Sequence, residues 1–420
     1  MKVAAIIAEY NPFHSGHAYQ IAKTKEITGA DYVLVIMSGN FVQRGTPAIY
    51  NKYIRTKMAL TGGADVVIEL PSLYACASAE FFAGGAVCLL NKLGCIDYLS
   101  FGSECGDISL LKDCAKLLHQ ENNNYQTVLS DFMKQGLSYP VARYRALLHC
   151  HFTGETLNAA FSSPEQMEAV FSSPNNILAL EYCKALKACN SNIAPVTIKR
   201  YGDDYHTTTL NASVHPSATA VRTQIEKGKL LADYPSAFLS CDDFSSLLQY
   251  KLLCEKENGF TSYLDCNKEL SDKIIKYLPE FTCFSQFCQL LKSKDLTYTR
   301  INRVLLHILL NIKKQDCFSM PLDKRTLPAP YVRLLGFQKK SSALLSVIKE
   351  KSQIPLLSKP ADAQSLLENF IYPDTETSVK SALSMLLQDI FTEDIYEAVF
   401  ADKYNKRPSA NAYRQSPVII

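Results

Sequence analysis

Short, continuously apolar runs alternate with amphipathic stretches through the first third of the chain. Val3-Ala4-Ala5-Ile6-Ile7-Ala8 has the pattern of a parallel strand buried on both faces. Asn11-Pro12 marks a turn. From Gly16 onward apolar positions recur at helical spacing (Ala18, Ile21, Ala22). The same grammar repeats: a strand over 31–37, a helix over 51–62, a strand over 65–70, a helix near 78–92 and a strand over 96–101. This alternation predicts an α/β fold built on a doubly wound parallel sheet. From 107 to about 190 the pattern is mostly helical, and Ala194 to Arg200 returns as a strand. A capped helix starts at Ser217. Beyond about residue 235 the reading is mostly helical, with a strand or two near 331–337 and 354–358. The chain therefore divides into an α/β part over 1–235 and a helical part over 236–420.

In doubly wound sheets ligands bind at the carboxyl ends of the strands, and three loops fall there: His14-Ser15-Gly16-His17, Ser38-Gly39-Asn40 and Gly102-Ser103-Glu104. The first opens a helix, whose N-terminal N–H groups and dipole favour an anion. Gly16 lets a flat base or a phosphate approach the backbone. His14 and His17, three residues apart, can face the same phosphates and stabilise charge on an α-phosphate as pyrophosphate leaves. With 8 His and 17 Gly in 420 residues, His-x-Gly-His arises by chance about 0.006 times per chain, so coincidence is a weak explanation. A zinc pair would need further ligands, and no CxxC or HExxH pattern supplies them. The expectation is a nucleoside triphosphate and no resident metal. Arg44, beside Gly45, is a candidate for holding a small carboxylate or the triphosphate. Lys52, Arg55 and Lys57 either steer phosphates or form a solvated helix face.

Composition bounds the setting. No apolar run approaches the roughly 20 residues that span a bilayer, and Met1-Lys2-Val3 leads straight into a strand without a signal-type leader, so the expected location is cytoplasmic with no membrane association. The 14 cysteines are scattered and read as buried thiols in a reducing compartment. Net charge is only +3, but between Gln289 and Leu345 eleven Lys/Arg face three acids. That local excess suits a polyanion. Thr297 to Leu306 reads as a helix whose Arg300 and Arg303 share an exposed side, and Lys339 and Lys340 extend the basic run, so these four are the nucleic-acid candidates.

The His-x-Gly-His turn and the Ser217-Ala218-Thr219-Ala220-Val221-Arg222 helix start together resemble the HxGH nucleotidyltransferase superfamily. More closely, five motifs in order resemble the bacterial tRNA(Met) cytidine acetate ligase family: Glu9 to His17, Met37 to Gly45, Ile68-Glu69-Leu70-Pro71, Phe101-Gly102-Ser103-Glu104 and Pro174-Asn175-Asn176-Ile177-Leu178. The resemblance covers most of the first 225 residues. It implies ATP as cofactor, with Mg2+ accompanying the triphosphate, and acetate and elongator tRNA(Met) as partners; no protein partner is implied. It further implies that Ile7, Ala8, Glu9, Tyr10, Asn11, Pro12, Phe13, His14, Ser15, Gly16, His17, Ala18, Tyr19 and Gln20 wrap ATP, completed by Gly102, Asn175 and Arg200. From the residues alone, Gly102 is equally a strand-end turn, Asn175 an N-cap, Arg200 a surface partner of Asp203 or Asp204, Ser217 and Thr219 plain caps and Arg222 a solvated helix residue. The segment 151–173, with Phe-Ser-Ser-Pro at 161–164 and again at 171–174, is longer than the family pattern requires, which leaves Asn175 and Asn176 as alternative ligands. Glu9, Glu104 and Asp203 are all open as general base. An adenylyltransferase acting on a phosphorylated cofactor precursor, or a non-catalytic RNA-binding protein, are the competing readings.

Overall fold

Each apolar run of the first third becomes a strand. In the computed structural model these are β1 (Val3–Ala8), β2 (Tyr32–Ser38), a small hairpin of β3 (Phe41–Val42) and β4 (Thr46–Pro47), β5 (Val66–Leu70), β6 (Tyr98–Ser103) and β7 (Ala194–Lys199). The structure describes all residues except 120–122, 136, 138, 152–163, 201–216, 230, 294–295, 316–326, 373–378 and 408–410. Asp203, Asp204, the first Phe-Ser-Ser and the charges at Lys294, Asp295, Asp316, Asp323, Lys324 and Arg325 therefore lie outside the described residues.

The main strands pair parallel in the order β5-β2-β1-β6-β7. The chain builds outward from β1 to β5, then crosses back to place β6 on the other side of β1. This reversal opens a crevice above the carboxyl ends of β1 and β6. The helices bearing on it are α1 (Ser15–Thr28), α2 (Lys52–Thr61), α3 (Ala79–Leu93), α4 (Pro174–Ala188) and α5 (Ala218–Glu226). Because side chains alternate along a strand, Ala4, Ile6, Val33, Val35 and Val67 pack on Ile21, Ala59 and Leu60 of α1 and α2. Ala5, Leu34, Ile36 and Ile68 face the other way, into the core shared with Phe82, Val87 and Leu90 of α3.

The described part of the second half between 241 and 309 is mostly helical, including α6 (Tyr298–Leu309), and the chain then rejoins the sheet. β8 (Val332–Phe337) lies antiparallel on β5, while β9 (Leu356–Leu357) and β10 (Val418–Ile419) pair with β8. The long α7 (Val379–Lys403) packs across both halves, and one apolar core runs from Leu70 and Tyr74 to Leu305, Ile308 and Leu386. His307 bridges the carbonyls of Leu264 (3.0 Å) and Cys76 (2.9 Å), and burial holds its pKa below the ordinary histidine value.

Where β5, β8, α2 and α7 meet, a charged cluster is buried. Lys52 pairs with Glu69 and Glu393, both at 2.8 Å, and Arg333 with Glu393 at 2.9 Å and Glu69 at 3.3 Å. Two cations and two carboxylates balance, and Tyr53 adds a hydrogen bond to Glu393 at 3.0 Å. Against burial, which alone would raise it, Lys52 and Arg333 hold Glu393 down to about 2.

Candidate active site

The His-x-Gly-His loop leaves β1 through Tyr10, whose φ of +48° turns the chain sharply. Asn11 anchors it by accepting from the Ile49 N–H at 2.8 Å, the Arg222 guanidinium donates to the Asn11 carbonyl, and the Tyr234 hydroxyl donates to the Phe13 carbonyl at 3.0 Å. Arg222 is thus a clamp on the loop and not a solvated helix residue. Thr219 steadies it at 3.1 Å, and Ser217 caps α5 through Ala220 N–H at 3.1 Å.

His14 is the N-cap of α1, and the two histidines close the first turn reciprocally. His14 Nδ1 accepts from Gly16 N–H at 3.1 Å, and His17 Nδ1 accepts from His14 N–H at 3.2 Å. The sequence suggests free N–H groups at this helix end; the imidazoles take part of that role instead. A neutral imidazole that accepts at Nδ1 carries its proton at Nε2, so both rings are fixed as Nε2–H donors. The rings stack at 3.7 Å, and Tyr10 and Phe13 wall His17 at 4.7 and 5.6 Å. Desolvation, with a smaller contribution from the Arg200 guanidinium, pushes the His17 pKa well below the ordinary value. No acid lies in the first turn of α1, so nothing there repels an anion.

Across the crevice, Gly102 is the next-to-last residue of β6, with the stem of Arg200 lying over it: a Cβ at Gly102 would stand 3.3 Å from Arg200 Cγ. Arg200 donates to Asn175 Oδ1 at 3.3 Å. Glu104 accepts from Asn175 Nδ2 (2.7 Å) and from Asn176 N–H (2.8 Å), so its carboxylate sits on the N-terminus of α4. Asn176 is buried and spends its Oδ1 on Glu104 N–H (2.9 Å) and Cys105 N–H (3.2 Å), which shapes the loop. Asn175 is the one turned to Arg200. With both Glu104 oxygens engaged in this brace, Glu9 is the carboxylate of the original three that remains at the crevice among the described residues, its Oε1 accepting Gln43 N–H at 2.8 Å.

Arg44 sits at the β3–β4 turn, half-buried, on the hairpin that Gln43 ties to Glu9. Gly45, at φ +75°, packs backbone to backbone on α6 at Asn302 and Arg303, leaving no room for a Cβ. Beneath lies a residue the sequence reading misplaced. Arg55 is fully buried and donates to the carbonyls of Tyr50 (2.9 Å), Glu9 (2.5 Å), Ser38 (3.1 Å) and Gly39, joining the ends of β1 and β2. Desolvation draws its pKa down to about 10. Neither Arg55 nor Lys52 is a phosphate-steering or solvated residue, because both occupy the packed face of α2; Lys57 alone of the three is exposed. The signal was present: positions 52, 55, 56, 59 and 60 form a single helical stripe with Thr56, Ala59 and Leu60.

The basic residues of the second half that the structure describes do not all share one surface. Arg303 is only 17% exposed and lies 3.5 Å from Asp265, so it does not share an open side with Arg300. Lys339 and Lys340 are exposed, but β8 runs antiparallel to β5 and delivers them to the amino ends of the parallel strands. There Gln338 N–H meets the Asp65 carbonyl at 2.9 Å, at the end of the sheet away from His14.

A family model described as HIGH Nucleotidyl Transferase matches residues 1–411. The tRNA(Met) cytidine acetate ligase of Clostridium perfringens is 39% identical over 93% of this chain and 99% of its own length, and that of Halothermothrix orenii is 38% identical over 97% of each. The crystal structure of Thermotoga maritima TmcAL in its apo form has a TM-score of 0.88 at 27% identity over 100% of both chains. The same protein bound with alpha-thio ATP has a TM-score of 0.84 at 28% identity. With the His-x-Gly-His cap, the Gly102–Asn175–Arg200 wall and full-length similarity in agreement, this chain belongs to the tRNA(Met) cytidine acetate ligase family of HIGH nucleotidyltransferases.

Proposed function

We propose that the protein activates acetate with ATP as acetyl-adenylate and transfers the acetyl group to N4 of the wobble cytidine of elongator tRNA(Met). The observation that carries this reading is the meeting of the two Nε2–H donors of His14 and His17 with Arg200 and Asn175 over the carboxyl ends of β1 and β6. An acetate oxygen attacks the α-phosphorus, the bond to the β-phosphate oxygen breaks and pyrophosphate leaves. The histidines stabilise charge on the phosphoryl oxygens without carrying charge themselves. The loop from Ile7 to Gln20, with Gly102, Asn175 and Arg200, wraps the nucleotide, and Arg44 receives acetate or the triphosphate. Mg2+ would accompany the triphosphate and neutralise part of its charge.

In the second step the cytidine amine, whose lone pair is delocalised into the ring, attacks the acetyl carbonyl and AMP leaves. In this reading Glu9 accepts the amine proton. Arg300 supplies phosphate contacts to the tRNA. The setting is the cytoplasm, where tRNA resides; no helix among the described residues is long and apolar enough to cross a membrane.

Incubating the purified protein with labelled acetate, ATP and tRNA tests the reading. Acetyl-AMP without tRNA, and N4-acetylcytidine with it, are expected. Product from acetyl-coenzyme A without ATP, or AMP retained on a cofactor precursor, would reject the ligase reading.

A further inference from the structure

Twelve cysteines are described as free, and among the described residues one pair makes a thiol–thiol hydrogen bond. Cys88 lies in the middle of α3, and Cys189 caps the carboxyl end of α4; their sulfurs are 3.3 Å apart. The Leu327 N–H donates to Cys88 Sγ, also at 3.3 Å. Cys88 is buried while Cys189 is half-buried, so the pair sits just beneath the surface, away from the nucleotide crevice. A main-chain amide donor and a second thiol in contact with one sulfur form an arrangement that stabilises a thiolate there. We infer that Cys88 and Cys189 are a dithiol modification site, which a hydroperoxide converts reversibly into an intramolecular disulfide joining α3 to α4.

The chemistry balances with the peroxide as oxidant. The Cys88 thiolate attacks one peroxide oxygen, the O–O bond breaks, and Cys88 becomes a sulfenic acid as water or an alcohol departs. The Cys189 sulfur, already in contact, attacks the Cys88 sulfur; the S–O bond breaks, water leaves and the Cys189 thiol proton goes with it. Two thiols lose two electrons and the peroxide gains them. The hydrogen bond with Cys189, helped by the Leu327 amide and Lys92, lowers the Cys88 pKa despite the opposing cost of burial. Formation of an S–S bond of about 2.05 Å needs the sulfurs to approach by little more than an ångström. Both are carried on helices whose packed faces already meet.

Titration of the full-length protein with hydrogen peroxide, followed by alkylation and peptide mass mapping, tests this. A linked pair of peptides carrying Cys88 and Cys189, with an intact mass lower by about 2 Da and full reversal by dithiothreitol, is expected. Cys254, which is exposed, serves as the internal reference. Cys88→Ser and Cys189→Ser should each abolish the linked peptides and leave acetyl-AMP formation by the reduced protein unchanged. The proposal falls if Cys88 and Cys189 both stay alkylatable at peroxide doses that oxidise Cys254. It falls equally if either accumulates sulfinic acid without a crosslink.

Discussion

His17 meets its task as a neutral ring. Its Nδ1 is committed to the His14 amide, and burial opposes a charged ring, so its proton is an Nε2 donor at neutral pH. His14→Ala and His17→Ala should each lower acetyl-AMP formation by about 10² to 10³-fold with the fold retained, read in a pyrophosphate-release assay. The same burial has a signature in stability. Because the folded pKa lies below 6.5, the unfolded chain takes up the proton first. The contribution of His17 is therefore fully present above pH 6.5 and declines as pH falls below it. The stability difference between pH 7.5 and 5.5, measured by urea unfolding, should shrink in His17→Asn. Which residues gather around this ring was partly legible: the His-x-Gly-His spacing marks the loop. The clamps from Arg222 and Tyr234 were not, because a side chain reaching a distant main-chain carbonyl leaves no periodic trace. Asn175 and Asn176 were indistinguishable by type and parted only by which faces the loop and which faces Arg200.

Among elements, α2 shows how a charge count misleads when the phase of the helix is ignored. Lys52 and Arg55 lie on the stripe that packs on the sheet, and their charges are met there by Glu69, Glu393 and main-chain carbonyls. Arg55→Lys keeps the charge but loses the planar fork that reaches four carbonyls at once. It should cost on the order of 3 kcal/mol in urea unfolding, since buried acceptors are left unmade. The strands were legible because each is a local apolar run. The partner of β5 was not, because a register between distant segments has no local signal. The acid inside Val66–Leu70 and the base inside Val332–Phe337 were its trace: Glu69 and Arg333 face each other across the two strands.

At the scale of the molecule, α7 and β8 fasten the second half to the catalytic sheet through that buried cluster. Glu393→Gln strands part of the charge of Lys52 and Arg333, so it should destabilise by about 3–5 kcal/mol at pH 7. Glu393 is held at about 2, below its unfolded value, so its contribution is present above about pH 4.5 and lost as pH falls toward 2. The variant should lose that portion of the acid-unfolding slope, as followed by circular dichroism. The same topology divides the basic residues: Lys339→Glu with Lys340→Glu, at the amino ends of the strands, should leave tRNA affinity within about twofold and its salt slope unchanged in filter binding. A tenfold loss would move the RNA to the opposite end of the sheet.

The antiparallel seam between β5 and β8 also sets a timetable. A ribosome releases Val66–Leu70 long before Val332–Phe337, so through most of synthesis β5 is an open edge of a nascent sheet, and Val66-Val67-Ile68 is the kind of segment that recruits another chain. Glu69, which becomes one member of an ion cluster in the finished protein, spends that interval with Lys52 already made but Arg333 still to come, a charge on the exposed edge strand that discourages strand addition by a stranger. Its replacement by an apolar residue would thus be felt first in the yield of soluble newborn chains, before any measurement on the folded enzyme.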